Sequence, residues 1–368
     1  MSDPFSVSSR TTPFKPATLS DVARAAGVSR WTAGRVLNGG QGNSRVAAKT
    51  ALRIHEAAAA LDYTPNRAAL QLRGRRSHSF GLLIASGGDP LRASLVPYLD
   101  AEALRAGCSV LIGDAIGNPS VGPDQFDRYV EDFARRGVDG IFCAVHHWFQ
   151  GDRRRLMTRH SNTVFYEDPG VPEAAYVTVD LEEAARQAVG HLVDRGRRRI
   201  ALAVMTLARR PHLARLRGYQ QELQARGLAF DERLVFNGAI VHLTFAKYSE
   251  QEQRWQFPWQ TIDTAIDRLV VDARADAIVA HDDFWAAALL KRLRARGLRV
   301  PDDVAVVGYS NHYLADWTDP SLTTLDLQHA QAARTMVAMM TRQLADGPLP
   351  EDQRVVKISP KLIVREST

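Results

Sequence analysis

Just inside the N-terminus the apolar positions recur at helical spacing. Leu19, Val22, Ala23 and Ala26 fall on one helical face. Thr18 stands where an N-cap is needed, and Asp21, three positions on, stands where the helix dipole favours a carboxylate. Gly27 ends this helix, Val28 fills the turn, and Ser29 caps a second short helix running to about Asn38, with Thr32, Ala33, Val36 and Leu37 on its inward side. After the loop 39–43, a third helix from about Arg45 to Leu61 offers Val46, Leu52, Ile54, Ala58 and Leu61 to close a miniature core. Two short helices joined this tightly and braced by a third predict a helix-turn-helix.

From Phe80 onward the period changes. Short apolar runs at 80–85, 110–113, 140–145, 163–166, 200–204, 277–280 and 304–308 alternate with longer amphipathic stretches. Such alternation predicts β-α-β units, parallel sheets and helices on both faces. Roughly 290 residues of it is long for one doubly wound domain, so two similar subdomains with a cleft between them are expected. No internal repeat stands out. The Ser-, Thr- and Pro-rich residues 1–17 have no hydrophobic period and read as a flexible tail.

Charge sharpens this division. Residues 1–77 hold twelve basic and four acidic residues, a net +8, whereas 78–368 hold 35 basic and 37 acidic, a net −2. A small basic module on a near-neutral body suits a polyanion, because neutralising phosphates releases condensed counterions. Cys108 and Cys143, the two cysteines, have no metal-ligand spacing and read as buried thiols of a reducing compartment. No run of about 18 apolar residues is present to span a bilayer, and the first twenty residues lack a secretory apolar stretch, so a cytoplasmic protein is expected.

The stretch 18–38, TLSDVARAAGVSRWTAGRVLN, resembles the lactose and galactose repressor family of bacterial regulators at fourteen of its twenty-one positions. The family has Val-Ser where this chain has Ala33 and Gly34. Glycine inside a helix costs about 1 kcal/mol relative to alanine, which weakens the second helix until it meets DNA. The resemblance makes this helix the DNA reader, with Arg30, Trp31 and Arg35 facing base edges in the major groove. Arginine presents paired donors matching guanine O6 and N7. Trp31 packs on a thymine methyl or covers the headpiece core. Thr18, Ser29, Thr32, Asn38 and Asn66 are assigned to the DNA backbone or to shaping the headpiece.

A second signature, YTPNRAALQLR at 63–73, resembles the family hinge, a short helix that forms on DNA. Leu72 takes the place of the leucine wedged into the minor groove, Ala69 allows two hinge helices to approach, and Arg73 lies beside phosphate. The resemblance implies a headpiece at 18–62, a hinge and linker at 63–77, and an effector-binding and dimerisation core at 78–368 resembling periplasmic sugar-binding proteins. In that core the first subdomain comprises about 79–166 plus about 309–324, and the second about 167–308 plus about 325–368. The ending LIVREST looks like the family's, and no heptad-bearing helix follows, so a homodimer on a pseudo-palindromic operator is expected.

The resemblance also places the effector. Arg215, in Arg-Leu-Arg-Gly-Tyr, matches the effector-binding arginine. His281-Asp282 stands where the family has Asn-Asp, and Ser310-Asn311 where it has two aspartates after the aromatic. Arg209 and Arg210 add positive charge near Arg215 if their loop faces the cleft, which favours an anionic effector. Trp148, at a strand end, stacks on a sugar ring or serves the structure. The stretch 247–259 reads as an insertion whose Trp255, Phe257 and Trp259 reach over the cleft or pack against it.

The expectation is therefore a transcription repressor, allosterically controlled by a small carbohydrate-derived effector, with no metal or cofactor. A solute-binding receptor without DNA contact is the competing reading, opposed by the complete headpiece. An enzyme is not expected: the chain has neither a phosphate-binding G-x-G-x-x-G after a strand nor a G-x-S-x-G elbow. Asp282 and Asp283 are adjacent carboxylates, but adjacency in sequence does not bring both into one site.

Overall fold

The computed structural model describes residues 16–37, 46–64, 76–84, 90–115, 125–145, 152–238, 247–249, 254–256 and 259–368. The chain divides into two units, Met1–Ser77 and His78–Thr368. Among the described residues no helix is long and apolar enough to cross a membrane.

The first unit contains helices α1 (Leu19–Ala25), α2 (Arg30–Leu37) and α3 (Ala48–Ala60). Thr18 and Asp21 form a reciprocal capping box: Thr18 Oγ1 accepts from the Asp21 amide at 3.3 Å, and Asp21 Oδ2 accepts from the Thr18 amide at 2.9 Å. Gly27 takes φ +63°, the left-handed turn that separates α1 from α2, and Ser29 Oγ accepts from the Thr32 amide at 3.0 Å. Val22, Ala23, Ala26, Ala33, Ile54 and Ala58 form the core, with Leu19, Val28, Val36, Leu37 and Tyr63 packed around it. Leu52 and Leu61, expected inside, are 59% and 38% exposed. The short α3 buries only the stripe of Ile54 and Ala58; Leu52 lies on the opposite face and Leu61 sits past the last turn.

Among the described residues the second unit holds two six-stranded sheets and a hairpin. In the first sheet the order is β13 (Val355–Ile358), β5 (Ala175–Val179), β4 (Thr163–Tyr166), β3 (Gly140–Ala144), β1 (Ser79–Ile84) and β2 (Ser109–Asp114), all parallel. In the second it is β14 (Lys361–Ile363), β12 (Thr323–Asp326), β11 (Ala305–Tyr309), β10 (Ala277–Val279), β6 (Ile200–Val204) and β7 (Val235–Asn237), parallel except for β14 on β12. Strands β1, β3, β6 and β11 are almost wholly buried, which is why they read as continuous apolar runs. The largest apolar cluster runs through both halves, from Phe80 and Phe142 to Ile200 and Val307.

The chain crosses between sheets three times: after β5 through the helix Leu181–Asp194, after β12 into the helix His329–Asp346, and between β13 and β14. This corrects the expected allocation. β5 and β13 complete the first sheet, and β12 belongs to the second. The connection 167–174 carries the chain back past β4, closing with the Ala174 amide bonded to the Val171 carbonyl, so that β5 starts beside Val164 and runs parallel to β4. β12 is held in the second sheet by the C-terminus: the Thr323 amide donates to Ser367 Oγ at 2.8 Å. Within the expected insertion, β8 (Lys247–Ser249) and β9 (Arg254–Gln256) pair antiparallel as the hairpin. Trp259 begins a helix and packs on the core of the second half, with Lys291 Nζ 5.0 Å above its ring.

Candidate functional site

Two sets of residues, one in each unit, carry the chemistry. In the first unit, Ala33 turns fully into the core and fixes which face of α2 looks outward. Trp31 is 66% exposed, with the Arg35 guanidinium 4.7 Å over its ring. Trp31 therefore does not cover the headpiece core; it stacks with Arg35 on the outer face, beside the exposed Arg30. Thr18, Ser29 and Thr32 are engaged in caps, with Ser29 Oγ and Thr32 Oγ1 2.8 Å apart. The expected sites Asn38, Asn66, Ala69, Leu72, Arg73 and Trp148 lie outside the described residues.

In the second unit, charged and polar groups gather at the C-terminal ends of the strands of both sheets, where open parallel sheets bind ligands. Arg215 lies on the helix Arg210–Ala225 and is 3% exposed. Its Nη1 donates to the His281 carbonyl at 2.8 Å, its Nη2 to the Ala280 carbonyl at 2.6 Å, and its guanidinium lies 4.1 Å over the Tyr309 ring. Burial holds its pKa below the ordinary arginine value. Gly218 makes this position possible, because a Cβ there would overlap the Glu182 carbonyl of the neighbouring helix. Tyr219, next in the motif, anchors the helix through Oη to the Ile200 carbonyl at 2.8 Å. The His212 and His281 rings meet edge-on at 5.2 Å, and His281 Nδ1 is 3.5 Å from Arg215 Nη1.

The adjacent aspartates part company. Asp282 caps the helix Asp283–Ala295, accepting from the Trp285 amide at 2.7 Å. Asp283 turns inward, with no exposed surface, and accepts from Ser310 Oγ (2.9 Å), the His312 amide (2.6 Å) and Thr324 Oγ1 (2.5 Å). Burial pushes its carboxyl up, against the pull of these donors. It thereby ties the helix to β12 and to the turn after β11, where Ser310 and Asn311 take φ +132° and +50°. Gly308 clears space for it, since a Cβ there would overlap Asp283 Oδ1. Asn311 is spent on structure, donating to Asp326 (3.3 Å) and accepting from Arg365 (3.0 Å).

The first half contributes Arg92, which is 1% exposed, donates to the carbonyls of Ala144 (3.2 Å) and Tyr166 (3.3 Å) and pairs with Glu167. Asp168, just past β4, pairs with Arg210 of the other half at 3.1 Å, so Arg210 is neutralised across the cleft. Arg209 precedes the same helix and is half-buried. Arg92, Glu167, His212, Tyr309 and Asp283 were not singled out as site residues from the sequence. The signal available was an arginine in Asp-Pro-Leu-Arg after a buried strand, and a doubled aspartate at another strand end.

A helix-turn-helix displaying arginines, in a chain whose other unit is a two-sheet core with polar groups gathered at the strand ends, defines a class: DNA-binding transcription regulators with a ligand-sensing core. The comparisons agree. Residues 18–66 match the family described as "Bacterial regulatory proteins, lacI family", and 189–368 match the "Periplasmic binding protein-like domain". The HTH-type transcriptional regulator CelR of Thermobifida fusca is 30% identical over 358 residues, covering 95% of this chain and 98% of that protein. The HTH-type transcriptional repressor PurR of Vibrio atlanticus (strain LGP32) is 24% identical over 356 residues, with the same coverage. Among solved structures, the transcriptional regulator CelR–cellobiose complex matches with a TM-score of 0.64 and 27% identity, over 96% of this chain and all of that one. The lac repressor dimer bound to operator and the anti-inducer ONPF matches with a TM-score of 0.75 and 23% identity, over 96% and 99%. The chain belongs to the lacI family of bacterial regulatory proteins.

Proposed function

We propose that this regulator is a repressor that binds a pseudo-palindromic operator as a homodimer in the bacterial cytoplasm, associated with the nucleoid, and that a small carbohydrate-derived effector in the core cleft sets its operator affinity. The observation that carries the reading is the outward face of α2. Arg30, Trp31 and Arg35 project from a helix whose start is capped and whose inner face is buried, on a module of net +8. Arg30 and Arg35 supply paired donors to base edges, each worth about 1–3 kcal/mol of discrimination. Thr18, Ser29, Thr32, Asn38 and Asn66 shape the headpiece or meet phosphate. In the hinge, Leu72 wedges into the minor groove beside Ala69, with Arg73 at the backbone. The names of the relatives point the same way: a repressor, a cellobiose complex, a dimer on operator.

In the core, Arg215, His281, Asp282, Ser310, Trp148 and Arg209 surround the effector. The Arg210–Asp168 ion pair joins the two halves, and Lys357–Asp180, at 2.8 Å, lies where the chain leaves the first sheet after β5. An effector that favours one arrangement of the halves shifts operator affinity by the coupling free energy, ordinarily about 1–3 kcal/mol. No catalytic step is assigned to the chain. The test is binding of the full chain to double-stranded DNA against salt. Affinity falling steeply, with a log–log slope of roughly −5 or steeper for six or more phosphate contacts, and lost with Arg30→Ala plus Arg35→Ala, supports the reading. Salt-independent binding, or none, overturns it in favour of a receptor.

A further inference from the structure

We infer that the effector is an acid, a carboxylate- or phosphate-bearing molecule whose anionic group is held by Arg215, Tyr309 and His281. This rests on the regulator reading above and names the ligand class of its cleft. Arg215 and Tyr309 are each at least nineteen-twentieths buried, and each keeps a donor, Nε of the arginine and Oη of the tyrosine, with no hydrogen-bond partner among the described residues. They are in direct contact, the guanidinium 4.1 Å over the tyrosine ring. The two Nη atoms of Arg215 reach only backbone carbonyls and His281, and no carboxylate among the described residues lies within ion-pair distance of it. A buried guanidinium without an anion is costly, and a ligand that supplies one recovers that cost.

The nearby carboxylates are committed to protein donors: Asp282 to a helix cap, Asp283 to Ser310, His312 and Thr324, Asp168 to Arg210, Glu167 to Arg92. A neutral polyol needs acceptors for its hydroxyl protons, whereas an anionic oxygen only accepts, and Arg215 Nε and Tyr309 Oη are both donors. Ser310 and Asn311 remove the carboxylates that the resemblance places after the aromatic.

The test measures binding to the full chain by calorimetry and thermal shift at constant ionic strength. The probes are D-gluconate, D-glucuronate, D-galacturonate and D-glucose 6-phosphate, set against glucose, galactose and cellobiose. At least one acid should bind, its neutral counterpart at least thirtyfold more weakly, with the sugar acids and the phosphate telling the two sources apart. Arg215→Gln should lose that binding. His281→Asn, which keeps the fold by leaving the backbone carbonyl to Arg215, should weaken it about tenfold. Neutral sugars binding in preference, or no acid binding, overturns the inference. DNA binding by the same preparation then shows whether the regulator reading survives.

Discussion

The inward aspartate gives the core's sharpest test. Asp283→Ala removes the acceptor of three hydrogen bonds, from Ser310 Oγ, the His312 amide and Thr324 Oγ1, at a site with no exposure. Hydrogen bonds to a charged group contribute about 1.5–3 kcal/mol each, and a buried donor left unsatisfied costs about 1–3 kcal/mol. The two hydroxyls can turn to other acceptors, the His312 amide cannot, and removing a buried carboxylate recovers part of its desolvation cost. A net loss of about 3 kcal/mol follows, about 5 °C in Tm for a unit this size. Asp283→Asn, with an acceptor on one side and a donor on the other, should lose about half as much. Thermal and urea unfolding read the total, and hydrogen exchange at the Asn311 and His312 amides reads the local effect, which should exceed that at Val306. A loss under about 0.5 kcal/mol, or exchange spread evenly over the second half, refutes the account of Asp283 as the tie between helix, strand and turn.

Gly218→Ala should cost about 1–3 kcal/mol from overlap with the Glu182 carbonyl, despite the gain in helix propensity, and should weaken effector binding by displacing Arg215; an unchanged Tm would show that the helices are free to part. Thr18→Ala removes the capping box and should destabilise the headpiece by about 1 kcal/mol, seen as faster amide exchange in α1 with the core Tm unchanged. Burial pushes the Asp180 carboxyl up, but hydrogen bonds from Lys357 and the Glu183 amide outweigh it and hold it below the ordinary range. Its folded pKa is thus below the unfolded one, so its stabilisation is complete above the ordinary carboxylate value and is lost as pH falls through the depressed one. The Tm gap between wild type and Asp180→Asn should therefore close on acidification from about pH 6 to about pH 3; a gap that widens contradicts the assignment.

What the sequence disclosed was what local chemistry decides. The Thr18 and Ser29 caps, the Gly27 turn and the buried runs at β1, β3, β6 and β11 rest on neighbours a few positions away. The fate of each half's outer strands depended on contacts some forty to 180 residues apart, such as Thr323 with Ser367 and β13 with β5, and no periodicity reports those. Leu52 carried the right chemistry at the wrong angle on α3. The Arg-Leu-Arg-Gly-Tyr motif singled out Arg215, and the structure buries it at the strand ends against the carbonyls of Ala280 and His281. Asp283 was not legible, because a one-residue step along the helix start turns a carboxylate from cap to core, and only the turn at Ser310–His312 shows which way it goes. The sequence offers Arg209 and Arg210 as added positive charge near Arg215 if their loop faces the cleft; it does not show that Asp168, from the other sheet, pairs with Arg210.

The central claim, that α2 and the hinge read a specific operator, is tested most directly by selection. The full chain is bound to a random-sequence duplex pool at near-physiological salt, and the retained DNA is sequenced beside parallel Arg30→Ala and Leu72→Ala samples. The account predicts an enriched pseudo-palindrome, relaxed at one base pair per half-site by Arg30→Ala and lost or weakened throughout by Leu72→Ala. Retained DNA with no common sequence, or a motif unchanged in both variants, would contradict it.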